Sequence, residues 1–207
     1  MFTGIIHTAG TVLSATTNAF GMRLLIGAPD WAYEPPVGDS IAVNGCCLTY
    51  APRDDDPTGS LGFDVIQETL AKTTFGSIKP GDRVNLETSV QATTSMAGHF
   101  VQGHVDAVGT VTSVDSGDDE YRIEIQAPQD AMPCIVPKGS VTINGVSLTI
   151  ADVNAQERKF QVALIPTTLE ITNLDQLKPG DAVNLECDII ARTVVNYMQH
   201  YAAASNG

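Results

Sequence analysis

The sequence predicts an all-β chain of two similar domains followed by a C-terminal helix, and three observations carry that prediction. The first is an internal repeat. KPGDRVNLE at Lys79–Glu87 returns 99 residues later as KPGDAVNLE at Lys178–Glu186, and NGCCLTYA at Asn44–Ala51 returns as NGVSLTIA at Asn144–Ala151. Gly4 and Gly10–Val12 likewise match Gly103 and Gly109–Val111. A repeat of about a hundred residues is too long for a solenoid and has the size of a small domain. The second is the run of short β-branched segments bounded by Gly, Pro, Asp and Asn. The third is the pair of hairpin dipeptides, Asn44-Gly45 and Asn144-Gly145, at equivalent places in both halves.

The elements follow in chain order. The first unit spans 1–96, the second 97–189, and 190–207 forms a C-terminal helix and tail. Pro80–Asp82 and Pro179–Asp181 supply turns before a strand, and short helices are expected over Thr69–Phe75 and Thr168–Leu174. Ser89–Met96 reads as a linker with few charges and little periodicity. In the second unit, strands are expected over Val108–Val114, Arg122–Gln126, Val141–Ile143 and Val183–Glu186. Many short strands in so little chain suggest a closed barrel or a sandwich, either of which hides strand edges. Ala191–Ala204 carries Val194, Val195, Tyr197, Met198 and Tyr201 at helical spacing, for packing on its own barrel or on another copy.

Composition excludes several functions. Of 207 residues, 24 are acidic and 11 basic, a net charge of −13 that would repel a nucleic-acid backbone. No apolar run approaches the roughly 18–20 residues that span a bilayer, so no membrane partner is expected. Met1–Gly4 lacks the start of a signal peptide. Cys46, Cys47, Cys134 and Cys187 form neither a disulfide ladder nor a paired zinc motif, which points to a reduced, cytoplasmic protein. No metal is expected: His99 and His104 sit five apart, a spacing that on a strand would point them to opposite faces. Asp54-Asp55-Asp56-Pro57 reads as a solvated loop rather than a calcium site, and no glycine-rich phosphate loop occurs.

Positions at which the halves differ are the candidates for chemistry. Cys47 stands opposite Ser147, Ile5 opposite His104 and Phe2 opposite Val101, while Thr49 and Thr149 are shared. Each has an ordinary reading too: a packed thiol, a hydrogen-bonded structural histidine, plain strand residues. Together they suggest two pockets of common shape and different polar equipment.

MFTGII, NGCCLT, GHFVQGHVD at Gly98–Asp106, NGVSLT and the doubled KPGDxVNLE, in this order over residues 1 to about 190, resemble the riboflavin synthase family. The resemblance implies two tandem six-stranded Greek-key β-barrels and a C-terminal α-helix, assembled as a homotrimer. It implies a transferase that converts two molecules of 6,7-dimethyl-8-ribityllumazine into riboflavin and 5-amino-6-(D-ribitylamino)uracil by moving a four-carbon unit. No cofactor is implied; lumazine synthase is a further candidate partner. The lumazine C7 methyl is acidic because its anion spreads over the ring, so positioned weak polar groups suffice. By motif, the first-barrel pocket takes Phe2, Gly4, Ile5, Ile6, Cys47, Leu48, Thr49, Asp64, Val65, Ile66, Gln67, Glu68, Thr69, Gly103, His104 and Val105. The second takes Lys138, Ser147, Leu148, Thr149, Ala163, Leu164, Ile165, Pro166, Thr167 and Thr168. Catalytic roles are expected of His104, Cys47, Ser40, Ser147 and Thr149. The sequence departs from the family at Ala97-Gly98-His99, Gln67 and Thr167. The alternative is a non-catalytic lumazine- or flavin-binding protein of the same fold.

Overall fold

A computed structural model describes residues 1–117 and 120–202. Six antiparallel strands build each half. The first sheet holds β1 (Thr8–Asn18), β2 (Gly21–Gly27), β3 (Ser40–Val43), β4 (Cys46–Thr49), β5 (Ser60–Ile66) and β6 (Arg83–Thr88), in the order β4-β3-β6-β1-β2-β5. The second holds β7 (Ala107–Ser116), β8 (Tyr121–Gln126), β9 (Ser140–Ile143), β10 (Val146–Asn154), β11 (Lys159–Leu164) and β12 (Ala182–Cys187) in the matching order, closed into a barrel by β10 pairing with β11. Each of the four strands expected in the second unit is present and a residue or more longer.

The two halves close differently. In the second, β10 runs on to Asn154, with Asp152 opposite Gln161. In the first, β4 stops at Thr49, and Tyr50 reaches Phe63 of β5 only through an isolated bridge and an edge-on ring contact. Pro52 stands at the place of Asp152 and has no N–H to donate, so the ladder cannot continue there.

Each barrel fills its own core by strand alternation. Along β11, Phe160, Val162 and Leu164 point inward and the residues between them outward. Phe63, Phe75, Leu24 and Ile41 are fully buried in the first half, as are Ile123, Ile125, Ile143 and Phe160 in the second. Each such side chain contributes about 1.5–3 kcal/mol on burial.

The helical segments differ in detail from expectation. In place of one helix over Thr69–Phe75 there is α1 (Gln67–Lys72) followed by a 3-10 turn, Thr74–Ser77; likewise α2 (Pro166–Ile171) precedes a turn at Asn173–Gln176. A threonine divides each pair. Thr73 donates its hydroxyl to Thr69 O (2.7 Å) and accepts from Phe75 N (3.3 Å), and Thr172 does the same with Thr168 O (2.6 Å) and Leu174 N (3.3 Å). This side-chain competition with the helix ladder ends one helix and caps the next. The C-terminal α3 (Ile189–Tyr197), capped by Asp188 and extended by a π turn at Met198–Ala202, covers the expected tail; residues 203–207 lie outside the described residues. Ala191 and Val195 pack on the second core, while Ile190, Val194, Tyr197, Met198 and Tyr201 are exposed. Among the described residues, no helix is long and apolar enough to cross a membrane.

The halves meet through their hairpin tips. Asn44 (φ 45°) with Gly45 (φ 76°), and Asn144 (φ 47°) with Gly145 (φ 80°), take the left-handed pair of a type I′ turn. The tips touch so closely that a Cβ on Gly45 would lie 2.6 Å from Gly145 N. Beside them, buried Asn85 donates to Asn144 O (3.0 Å) and buried Asn184 to Asn44 O (2.9 Å), so each half satisfies the other's turn carbonyl. Asn173 joins one side of this array, bonding Asn85 and Asn44; Thr74 N bonds Asn184 Oδ1 on the other. Because Asn85 is fully buried and its loss leaves its partners unpaired, Asn85→Ala is expected to destabilise the protein by about 2–4 kcal/mol, read as a lowered urea midpoint.

Candidate active site

The segments leading into the two barrels are exchanged, and the exchange builds the site. Phe2 and Val101 pair as an antiparallel bridge between the halves. Beyond it, Gly4 O accepts from Ser147 N (2.8 Å) and Ile6 enters the second core, whereas Gly103 O accepts from Cys47 N (2.8 Å) and Val105 packs on the first. Gly4 (φ 77°) and Gly103 (φ 76°) are both left-handed, and a Cβ on either would fall 2.6 Å from the Cβ of Ser147 or Cys47. Only glycine fits both demands.

A buried carboxylate holds each exchanged segment. Glu87 of β6 accepts Thr3 N (2.7 Å), Thr3 Oγ1 (2.8 Å) and Gly4 N (3.0 Å); Glu186 of β12 accepts Gln102 N (2.6 Å), Gly103 N (2.9 Å) and His104 N (3.0 Å). Burial pushes both carboxyls above their usual range, Glu186 to about 7, although the backbone N–H groups pull the other way.

The first half-site is a cavity of about 190 Å³ lined by Cys46, Cys47, Glu68, Thr69, Lys72, Thr73, Gly103, His104 and Val105. Cys47 is half-buried and His104 exposed, while burial pushes the Cys46 thiol up to about 12 and leaves it inert. Phe2 packs against Cys47, and Leu48 faces the core. Ser40 pairs with exposed Thr49 across β3 and β4. Gln67 and Glu68 are exposed in the first turn of α1, and Glu68 pairs with Lys72 (2.8 Å). Val65 is buried in the core; Asp64 faces outward, its carboxylate on Arg53 (2.8 Å) and Arg23 (3.4 Å). Asp64, Val65 and Ile66 line a separate cavity of about 250 Å³ with Phe20 and Arg53. Within the acidic run expected to be solvated, Asp56 instead pairs with buried Arg23 and accepts from Arg53 N (2.8 Å), which folds its loop onto β2.

The second half-site centres on Ser147, whose hydroxyl lies 2.7 Å from His99 Nδ1. Thr149 pairs with Ser140 as Thr49 does with Ser40. Lys138 is exposed and left-handed (φ 65°) where the first repeat has Gly38 (φ 88°), a conformation that costs a non-glycine about 1 kcal/mol or more. Leu148 and Leu164 face the core, Ala163 pairs with Arg122, Ile165 precedes α2, and Pro166, Thr167 and Thr168 form its first turn.

Two stretches of this chain, residues 3–89 and 102–188, match the lumazine binding domain family. The riboflavin synthase of Mycobacterium tuberculosis (strain ATCC 25618 / H37Rv) is 40% identical over 200 residues, covering 96% of this chain and 98% of its own. The chain belongs to the riboflavin synthase family. The riboflavin synthase of Bacillus subtilis (strain 168) is 34% identical over 198 residues, covering 96% of this chain and 90% of that protein. Among solved structures, LumP complexed with riboflavin aligns at a TM-score of 0.81 and 28% identity, covering 90% of this chain and 99% of that one.

The riboflavin synthase motifs and the geometry group the candidates differently in two respects, of which the separate cavity of Asp64, Val65 and Ile66 is one. Gly4, Ile5 and Ile6, expected beside Cys47, run along the second barrel: Gly4 on Ser147 and Ile6 in the core, with Ile5 exposed between them. Because the exchanged segments are equivalent in the repeat, sequence alone cannot say which barrel each one serves. Gly103, His104 and Val105 lie with Cys47 in the first cavity. His99 is the candidate that motif reasoning missed; its partner is 48 residues away, and its spacing from His104 raised only the question of a metal. Among the described residues, no cluster of three or more potential ligands could hold a metal ion.

The Glu186 clamp has a pH signature. The folded protein holds this proton more tightly than the unfolded chain, so the group's stabilising contribution is present at low pH and lost as pH rises through about 7. Thermal melts at pH 6 and pH 8 should show the wild type losing on the order of 1 kcal/mol more than Glu186→Gln, which cannot ionise.

Proposed function

We propose that this chain converts two molecules of 6,7-dimethyl-8-ribityllumazine into riboflavin and 5-amino-6-(D-ribitylamino)uracil. The supporting observation is the pair of half-sites with one backbone frame and unequal side chains: Cys47 beside Gly103 and His104 in one, Ser147 beside Gly4 and His99 in the other. A dismutation needs this inequality, because two identical molecules must act differently, one giving the four-carbon unit and one receiving it. In this reading the first half-site binds one lumazine against Cys47, Thr69 and His104, and His104 exchanges protons with the ring. The second binds the other against Ser147, Thr149 and Lys138. Hydrogen bonds from these positioned groups stabilise the charge that develops on the carbanion. Holding the two rings together supplies on the order of 7–11 kcal/mol at best. The four free cysteines suit a reducing cytoplasm.

The half-sites are completed across subunits of a homotrimer built on α3. Ile190, Val194, Tyr197 and Met198 leave an apolar stripe exposed on that helix, and a shallow cavity of about 220 Å³ lies along Ile189, Ile190, Thr193 and Val194. The first test mixes purified protein with the lumazine alone and follows riboflavin by absorbance. One riboflavin per two lumazines, without added cofactor, supports the synthase; binding without product makes the chain a carrier. His104→Gln should slow turnover about 100-fold and leave lumazine affinity, measured by fluorescence titration, nearly unchanged. Val194→Asp should shift the protein to smaller species in sedimentation velocity and abolish turnover, with lumazine still bound.

A further inference from the structure

Ser147 and Cys47 occupy equivalent places, but the serine is engaged by a residue from the segment joining the barrels. Three contacts hold His99 there. Its backbone N–H donates to Thr3 O (3.1 Å), Thr3 is gripped in turn by Glu87, and Gly98 passes so near that a Cβ on it would lie 2.0 Å from Thr3 O. The ring then reaches Ser147 Oγ through Nδ1 at 2.7 Å, with Nε2 buried and unpartnered.

The orphan nitrogen selects the tautomer. Burial lowers the imidazole's proton affinity, opposed only in part by Asp188, so the ring is neutral near pH 7 and has one N–H. A buried N–H without an acceptor is the rarer and costlier arrangement. The proton therefore belongs on Nδ1, where Ser147 Oγ accepts it, and Nε2 keeps a bare lone pair. With its oxygen occupied as an acceptor, the serine keeps its own hydrogen free to donate.

We infer that His99 is the positioning residue of the second half-site: its Nδ1–H fixes the Ser147 hydroxyl as a donor toward an acceptor atom of the bound lumazine. That atom is a ring carbonyl or ring nitrogen that gains negative charge when the C7 methyl loses its proton. The donor is polarised by the bond behind it and strengthens as the charge appears. The second half-site thus stabilises the anionic partner of the pair. This inference rests on the activity proposed above.

The amide nitrogen of asparagine can take the place of Nδ1, whereas alanine leaves the serine unsupported. Steady-state turnover should fall about tenfold in His99→Ala and in Ser147→Ala, with the same split between kcat and KM in both, as expected for the loss of one hydrogen bond. His99→Asn should stay within about threefold of wild type. The double variant should be no slower than Ser147→Ala, because the two residues act as one unit. Multiplying losses in the double variant, or an asparagine variant as slow as the alanine one, would overturn the assignment. If His99→Ala does not fold, His99→Gln takes its place, since its amide reaches the Nε2 position instead and should also be slow. Riboflavin affinity, read by quenching of its fluorescence, gives the same comparison without turnover. A wild type that binds riboflavin but makes none refutes the proposed activity and leaves this test of the pair standing.

Discussion

Everything at the centre of this molecule depends on two buried carboxylates that grip backbone N–H groups, Glu87 taking the Thr3 hydroxyl besides. Glu87 and Glu186 each gather backbone donors from the segment leading into their own barrel and hold it against the other one. A carboxylate suits this task because its two oxygens can accept several N–H bonds at once. Once gripped, each segment directs a glycine carbonyl onto the strand that carries Cys47 or Ser147. The position of the chemistry is thus set from the barrel next door.

The asparagine array at the hairpin tips works in parallel. It satisfies turn carbonyls across the junction, and its geometry tolerates little displacement because the tips touch backbone to backbone. Polar junctions of this kind give less free energy per area than apolar ones but specify register strongly. For a site whose walls come from two barrels, register matters more than adhesion.

Much of the fold was legible from repetition. The duplicated motifs marked equivalent hairpins and turns, and branched-residue runs located the strands of the second half. The threonine breaks at Thr73 and Thr172 were not legible, because a hydroxyl that ends a helix by bonding its own backbone looks like any other threonine in a polar run. Of the candidate site, Cys47 with Gly103, His104 and Val105 was readable as a group from motifs. Asp64 was named with them, yet strict alternation beside Phe63 and Val65 already turned it away from the core. The pairing of His99 with Ser147 joins a linker to a strand through tertiary packing alone, and no local pattern encodes it. The exchange was hidden for a deeper reason: swapping two equivalent segments leaves the repeat unchanged.

That exchange also bears on the descent of the fold. A solitary unit of this kind lacks the wall that covers its own cysteine or serine and can obtain it only from a second copy, by trading leading segments. Two units on one chain make that trade permanent and independent of concentration. Joined copies can also differ at equivalent places: here one carries a thiol beside His104, the other a hydroxyl bonded to His99. The present chain is an intertwined dimer written as a single polypeptide.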